Sequence, residues 1–344
     1  MRIIHVLYMN SFSGAENVAI QIIEQCKDCY TEYYCSPRGA ISDIVKSRGI
    51  THLPVSNLCI KELKRVISEI KPDLIHAHDF RASLVSILSS KKIPVVSHLH
   101  NNCPWLKRIC LKSLVFYYIA KKSRVLLTVS KSVMDEYVFG NRFSYKTMVV
   151  GNPIDSTSIR NRIDDNPGNE SEIVFCGRLT KQKNPLLFIS IIRELVNSFP
   201  KLRVFMIGDG ELLPSVKARI HDFSLESNIK LLGFMNNPIT IMSKTKILVM
   251  TSSWEGFGLV AVEALSLGKP VVASMVGGLP DIVNESCGYL CKQISDYTDE
   301  IRKLLSDYQY YNRKSFEALK RANELSNMNK YIERIKDAYR IAVS

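Results

Sequence analysis

Residues 247–264 read ILVMTSSWEGFGLVAVEA. Ile247–Met250 is an unbroken apolar run, the pattern of a strand buried on both faces of a parallel sheet. Ser252–Gly258 supplies turn and breaker residues, and Val260–Leu267 has the composition of a helix. A strand running through a glycine-containing loop into a helix is one βα unit, and the same rhythm extends to both sides. Upstream, Ile3–Tyr8, Leu74–Ala77, Val95–Ser97 and Val125–Val129 are short apolar runs, separated by helical stretches such as Ala15–Cys26 and Ile60–Ile70. After a polar interval come Glu172–Cys176, Arg203–Ile207, Ile229–Leu232, Ile247–Met250 and Val271–Ala273. Strand–helix alternation in two blocks predicts an α/β protein of two Rossmann-like, doubly wound parallel-sheet domains; two such sheets facing each other would place both sets of strand ends on one cleft.

The length of 344 residues suits two domains. Turn residues at Gly151-Asn152-Pro153 close the first block, and the polar stretch 161–171, with DDNPGN at 164–169, is expected to be the linker. The expected domains are therefore 1–160 and 161–325, with a C-terminal helix over about 326–344 packing back on the first. Helix is expected from about Tyr311 onward.

No apolar run is long enough to span a bilayer. The start of the chain meets Asn10-Ser11 before any signal-cleavage pattern, so a cytoplasmic protein is expected. The nine cysteines are scattered. Cys26 and Cys29 form a CxxC without the second pair that a zinc site needs, which favours reduced packing thiols. The net charge is +13, and residues 1–150 hold 21 basic against 11 acidic residues, so most of the excess lies there. Such a half calls for an anionic partner: nucleic acid, a membrane surface or a phosphorylated substrate.

In open α/β sheets ligands bind beyond the carboxyl ends of the strands, so the loops after strands carry the search. In Ser252–Ala264, Gly256 and Gly258 allow close backbone approach. The amides from Gly258 through Leu259 to Val260 open a helix, where free N–H groups and the dipole favour a phosphate. Glu255 and Glu263 would repel a phosphate, and read better as acceptors for sugar hydroxyls, one on a transferred sugar and one on a ribose. Glu255 is expected in the loop and Glu263 in the first helical turn. The second strand-end loop is FCGRLTKQKNP, 175–185, whose Arg178 can fork onto two phosphate oxygens while Lys183 adds a point charge. In the third, IGDGE at 207–211, Gly208 and Gly210 read as turn residues.

Together these strings resemble the retaining, GT-B-fold glycosyltransferases of family 4, many of which build bacterial surface polysaccharides. The matching residues are EGFG (255–258) with VEAL (262–265), GRL (177–179) with Lys183 and Asn184-Pro185, GDG (208–210) and GNPID (151–155). GKPVVAS (268–274) and GGLPDIV (277–283) match as well. The resemblance implies that Arg178 and Lys183 bind the donor diphosphate, Glu263 the ribose and Glu255 the transferred sugar. Amides of Gly256, Phe257, Gly258, Leu259 and Val260 would complete the donor site. It further implies a nucleotide-diphosphate sugar donor, a UDP-sugar favoured, and no metal or other cofactor, consistent with the lack of a DxD-type motif at a strand end. The acceptor is expected to be a glycan or a lipid-diphosphate-linked acceptor.

The resemblance is thinner over 1–148. Ser13-Gly14-Ala15-Glu16 is similar to the family's GGxE turn, with Ser13 replacing one glycine, so Gly14 is the expected phosphate contact. Histidines fall in two HxH pairs, His76/His78 and His98/His100. The family's histidine aligns best with His100, which would hydrogen-bond the transferred sugar. An HxH pair can hold a metal, but no third ligand stands at suitable sequence spacing. Residues 104–122, PWLKRICLKSLVFYYIAKK, are basic and aromatic. They read either as a membrane-contacting segment, with Lys107, Arg108 and Lys112 meeting anionic lipid beside Trp105, or as an ordinary domain helix.

The leading expectation is a retaining transferase of a hexose or N-acetylhexosamine in surface-polysaccharide synthesis. A sugar-nucleotide epimerase or disaccharide synthase on the same scaffold, and a catalytically silent partner subunit, are the alternatives. A nucleic-acid-binding role leaves the phosphate loops unexplained and is set aside.

Overall fold

The structure is a computed structural model that describes residues 1–90, 92–164 and 170–344. The chain forms two compact units, Met1–Pro153 with Met328–Ser344, and Ile154–Asn327.

The first unit is built on a seven-stranded parallel sheet of β1 (Arg2–Val6), β2 (Thr31–Pro37), β3 (Thr51–Val55), β4 (Leu74–His78), β5 (Val95–Leu99), β6 (Val125–Thr128) and β7 (Thr147–Val149), in the order β3-β2-β1-β4-β5-β6-β7. The second is built on a six-stranded parallel sheet of β8 (Ser171–Cys176), β9 (Val204–Ile207), β10 (Ile229–Gly233), β11 (Thr245–Met250), β12 (Val271–Ser274) and β13 (Gly288–Cys291), in the order β10-β9-β8-β11-β12-β13. Each sheet starts at one strand and winds outward both ways, so strand order reverses between β1 and β4 and between β8 and β11. Those two switch points are where a doubly wound sheet opens a crevice at its carboxyl end. The segments at the first are Ser13–Glu16, where the helix Gly14–Cys26 begins, and Asp79, which opens the helix Asp79–Ser89. At the second they are Gly177–Lys183 and Ser252–Gly258.

Central strands such as Leu74–His78 and Ile247–Met250 are buried along their whole length. The strands that periodicity did not reveal are β2, β3, β7 and β13. Of these, β3, β7 and β13 lie at sheet edges, where one side is free of partners and the sequence need not be continuously apolar; Pro54 sits in β3 for that reason. The core of the first unit joins Ile3, Val18, Ile22, Leu74, Val96 and Leu127 to Tyr331, Ile335 and Tyr339 of the C-terminal helix Met328–Val343. That helix is separate from Tyr308–Leu325, and the two fall in different units.

The division falls at Pro153/Ile154 rather than at 160/161. Asp155 explains the shift: its carboxylate accepts hydrogen bonds from the amides of Thr157 and Ser158, both 3.0 Å, and caps a short helix, Ser156–Arg160. That helix packs against Leu259–Ser266, so it belongs to the second unit. Of the expected linker loop, residues 165–169 (Asp165 to Asn169) lie outside the described residues.

Candidate functional site

In the second unit the loops after β8 and β11 are stitched together. Ser253 N–H donates to the Gln182 carbonyl (2.8 Å), Gln182 Nε2 to the Trp254 carbonyl (3.3 Å), and Thr251 Oγ1 to the carbonyls of Lys183 and Asn184 (3.1 and 3.0 Å). Lys183 Nζ and Glu255 Oε2 form an ion pair whose side chains are 15% and 11% exposed, and Ser252 Oγ donates to the same Glu255 oxygen at 3.3 Å. Arg178 is exposed, tethered through Nη2 to Gln182 Oε1 at 3.3 Å. Gly258 stands immediately before the helix Leu259–Ser266 with φ 103°, a left-handed conformation that disfavours a side chain. Leu259 and Val260 therefore occupy the first helical positions, whose N–H groups have no intrahelical acceptor.

A second glycine is fixed by close approach. A Cβ on Gly208 would lie 2.0 Å from the Gly177 carbonyl oxygen, so the turn after β9 can support the Arg178 loop only with hydrogen at that position. Glu263 lies in the second turn of its helix, because the helix begins at Leu259; the expected first-turn placement is corrected. Burial raises its carboxyl pKa, and Arg162, 3.6 Å away, opposes the rise.

In the first unit Gly14 opens the helix Gly14–Cys26. Ser13, at its N-cap, donates through its hydroxyl to the Glu16 carboxylate, and burial raises the Glu16 pKa. Asp79, directly after β4, has φ 67° and accepts from the His100 amide at 2.9 Å. Burial pushes its carboxyl pKa up to about 6.

Behind these loops five histidines stack between three adjacent strands. His5 Nε2 meets Glu32 Oε1 at 3.0 Å, His5 Nδ1 meets His78 Nε2 at 3.1 Å, and His78 Nδ1 meets His100 Nε2 at 2.9 Å. A second row runs from the Tyr339 hydroxyl to His76 Nδ1 (2.8 Å) and from His76 Nε2 to His98 Nδ1 (3.2 Å). Burial holds His76, His78 and His98 well below the usual imidazole pKa and lowers that of His100 to about 3, so all four are neutral.

The expectation that HxH lacks a third ligand is corrected here. Ring nitrogens of His5, His76 and His78 lie within 4.8 Å of one another, as do those of His78, His98 and His100. Parallel pairing sets His5 beside His76 and His78 beside His98, a proximity invisible to spacing along the chain. All but two of these nitrogens are already hydrogen-bonded, the exceptions being His98 Nε2 and His100 Nδ1.

Two family signatures cover nearly all of this: Glycosyltransferase Family 4 over residues 15–158, and Glycosyl transferases group 1 over residues 158–321. The chain is a group 1 glycosyltransferase. Among relatives of this glycosyltransferase, the Escherichia coli UDP-Gal:alpha-D-GlcNAc-diphosphoundecaprenol alpha-1,3-galactosyltransferase is 26% identical, the match covering 98% of this chain and 96% of that one. An uncharacterized glycosyltransferase of Methanocaldococcus jannaschii is 24% identical over 73% of this chain, which spans 64% of its length. The Anabaena HepE structure in complex with UDP and glucose superposes with a TM-score of 0.87 at 20% identity, covering 98% of this chain and 99% of that one. The two parallel-sheet Rossmann-like domains are those of the GT-B fold.

The structure of this glycosyltransferase thus gathers Arg178, Lys183, Glu255, Gly256, Phe257, Gly258, Leu259 and Val260 at one switch point, with Glu263 one turn into the helix. Gly14 and His100 stand at strand ends of the other unit. Sequence reasoning missed Arg162, His5, Glu32 and Tyr339. His5 carried a signal, a lone imidazole in an otherwise apolar first strand. Glu32 and Tyr339 carried none, since their partners come from pairing and packing across the fold.

The basic segment 104–122 is not one helix. A 3-10 turn at Pro104–Lys107 is followed by a helix at Leu111–Lys122. Trp105 packs edge-on against Phe80 and Phe116, and Lys107 pairs with Glu136 at 3.3 Å. The large apolar side chains left outward are Ile109, Leu111, Leu114 and Tyr118, beside exposed Arg108 and Lys112 among other cations. No helix among the described residues is long and apolar enough to cross a membrane.

Proposed function

We propose that the protein transfers a hexose or N-acetylhexosamine from a nucleotide-diphosphate sugar, UDP-linked, to a lipid-diphosphate-linked glycan in surface-polysaccharide synthesis, with retention of anomeric configuration. The observation that carries this is the convergence of Arg178, Lys183, Glu255 and a free helix start at the β8/β11 switch point. Arg178 forks onto the diphosphate, and the amides of Leu259 and Val260 take its remaining oxygens. Each charge-assisted hydrogen bond contributes about 1.5–3 kcal/mol, enough in combination to hold the diphosphate and stabilise it as the leaving group without a metal. Lys183 starts paired to Glu255. When the diphosphate takes over the ammonium, the Glu255 carboxylate is freed to accept from hydroxyls of the sugar being moved. Glu263, oriented by Arg162, accepts from the ribose. His100 in the first unit contacts the transferred sugar.

The relatives support the donor and acceptor classes, since one is named for UDP-Gal and a diphosphoundecaprenol-linked acceptor. The outward Ile109, Leu111, Leu114 and Tyr118 with Arg108 and Lys112 support peripheral contact with an anionic membrane, where such an acceptor resides.

Calorimetry with UDP, GDP, ADP and CMP in the presence of a chelator tests the donor site. One nucleoside diphosphate is expected to bind, and Arg178→Ala to weaken it at least about tenfold. Equal binding by the variant would refute the assignment. No binding by any of them would favour the silent-partner reading.

A further inference from the structure

We propose that Glu32 is a positioning residue: through His5 and His78 it fixes the hydrogen-bonding direction of His100, so that His100 presents Nδ1 as an acceptor to a ligand hydroxyl. The argument rests on the order of contacts, Glu32 Oε1 to His5 Nε2, His5 Nδ1 to His78 Nε2, and His78 Nδ1 to His100 Nε2. A neutral imidazole has one N–H and one lone pair, and an ionised carboxylate only accepts. With Glu32 as the carboxylate and His5 as a neutral imidazole, the His5 proton sits on Nε2 and leaves a lone pair on Nδ1. That lone pair can be met only by an N–H from His78 Nε2, which leaves His78 Nδ1 as an acceptor. His100 must then carry its proton on Nε2, and its Nδ1 is a lone pair.

That final nitrogen is buried and makes no hydrogen bond to any described residue. Buried polar atoms are nearly always satisfied, so an acceptor at the end of a directed chain signals a ligand donor. The His100 amide is tied to Asp79 Oδ1, and residues on either side of His100, Leu99 and Asn101, line a cavity of about 340 Å³ with His78 and Asp79. The neighbouring row isolates the role of Glu32. It ends on the Tyr339 hydroxyl, which both donates and accepts, so the direction of His76 and His98 is not fixed by its anchor. A bare lone pair suits a hydrogen-bond donor and rejects a phosphate or carbonyl oxygen, and a hydroxyl of a polyol is such a donor. The identification of that polyol as the transferred sugar rests on the proposed function.

The test is two-bond ¹H–¹⁵N correlation of histidine-labelled full-length protein near neutral pH, without ligand. His5, His78 and His100 are expected as Nε2–H tautomers. A proton on Nδ1 of His100 would overturn the proposal. Glu32→Gln keeps the shape but offers both an N–H and a carbonyl, so His100 should become a mixture of tautomers; His5→Gln, cutting the row one step later, should do the same. In transfer assays Glu32→Gln is expected to lower kcat/KM by the fraction of His100 left in the accepting tautomer, roughly twofold for an even mixture. A donor lacking the hydroxyl that His100 meets should react equally with variant and wild type, whereas a merely structural defect would slow both donors. Unchanged kcat/KM despite a scrambled tautomer would overturn the ligand role. Stoichiometric Co²⁺ binding with imidazole-type visible bands would overturn the hydrogen-bonded row itself. Because the tautomers are read without substrate, absence of transfer from any donor would count against the proposed function and leave this inference standing.

Discussion

Replacing Lys183 by Met separates two roles that one side chain holds. The ammonium is paired with Glu255, and both side chains are mostly buried, 15% and 11% exposed. Methionine fills a similar volume but leaves the Glu255 carboxylate with Ser252 Oγ as its remaining side-chain partner. Truncating one partner of a well-buried pair costs about 3–5 kcal/mol, whereas an exposed pair contributes about 0–1 kcal/mol. At this intermediate burial a loss of about 2 kcal/mol is expected, a fall in Tm of roughly 4–8 °C for a domain of this size. Nucleotide binding should weaken by one charge-assisted hydrogen bond, about 1.5–3 kcal/mol, or roughly 10- to 150-fold in Kd. The double variant Lys183→Met/Glu255→Gln discriminates, because Gln removes the stranded charge. Differential scanning fluorimetry should show stability largely restored, while calorimetry shows nucleotide affinity still low. If the double variant melts no higher than the single one, the pair is not what Glu255 needs. If the single variant binds nucleoside diphosphate as tightly as wild type, Lys183 is not a donor ligand.

Asp79→Asn should stabilise the protein at neutral pH and less so in mild acid. With its folded pKa raised to about 6 by burial, the stability associated with protonated Asp79 is fully present below the ordinary carboxyl pKa and lost as pH rises through about 6. Asn keeps the oxygen that accepts from His100 and tolerates the left-handed backbone, so a gain of about 1–2 kcal/mol near neutral pH is expected in urea titrations, and a pH-independent difference would contradict the cause. Gly208→Ala should lower stability by about 2 kcal/mol or more, measured by thermal melting, because its Cβ would meet the Gly177 carbonyl oxygen at 2.0 Å; a wild-type melt would mean that the loop yields freely. Sedimentation with anionic vesicles at low salt should retain the wild type and release Leu111→Ser/Arg108→Ala/Lys112→Ala by several-fold. Equal behaviour of the two proteins would remove the membrane contact.

The second switch point was legible in sequence because its parts are contiguous: an apolar strand, two glycines and a helix within Ile247–Ala264, and cations within 175–185. Burial on both faces made β8, β9 and β11 stand out as continuous apolar runs. The edge strands β3, β7 and β13 were not legible, since a strand with one free side does not need that pattern. Arg162 was hidden in a polar stretch that read as linker, and only the capped helix at Ser156–Arg160 brings it to Glu263. The histidine rows were half legible. The two HxH pairs were visible, but His5 and Glu32 join them through strand pairing, with His5 beside His76 and Glu32 beside Ile3.

The pairing pattern also resolves a difficulty in the proposed donor loop. Two carboxylates beside a phosphate site would lower its affinity for an anion, yet each has a cation of its own: Lys183 for Glu255 and Arg162 for Glu263. The two pairs differ in tightness. Lys183 and Glu255 are in direct contact, with mostly buried side chains. The Arg162–Glu263 contact is 3.6 Å, with Arg162 42% exposed. A diphosphate reaching the β8/β11 switch point meets Lys183 already desolvated, so the ammonium exchanges one anion for another rather than giving up water. The carboxylate it leaves must then find donors in the same buried space, and sugar hydroxyls are the donors that arrive with the diphosphate. Nucleotide without sugar should therefore bind less tightly to wild type than the complete nucleotide sugar, and this preference should disappear in Glu255→Gln, where no stranded charge is left to satisfy. Calorimetry with the two ligands measures it, and an equal preference in both proteins would refute the exchange.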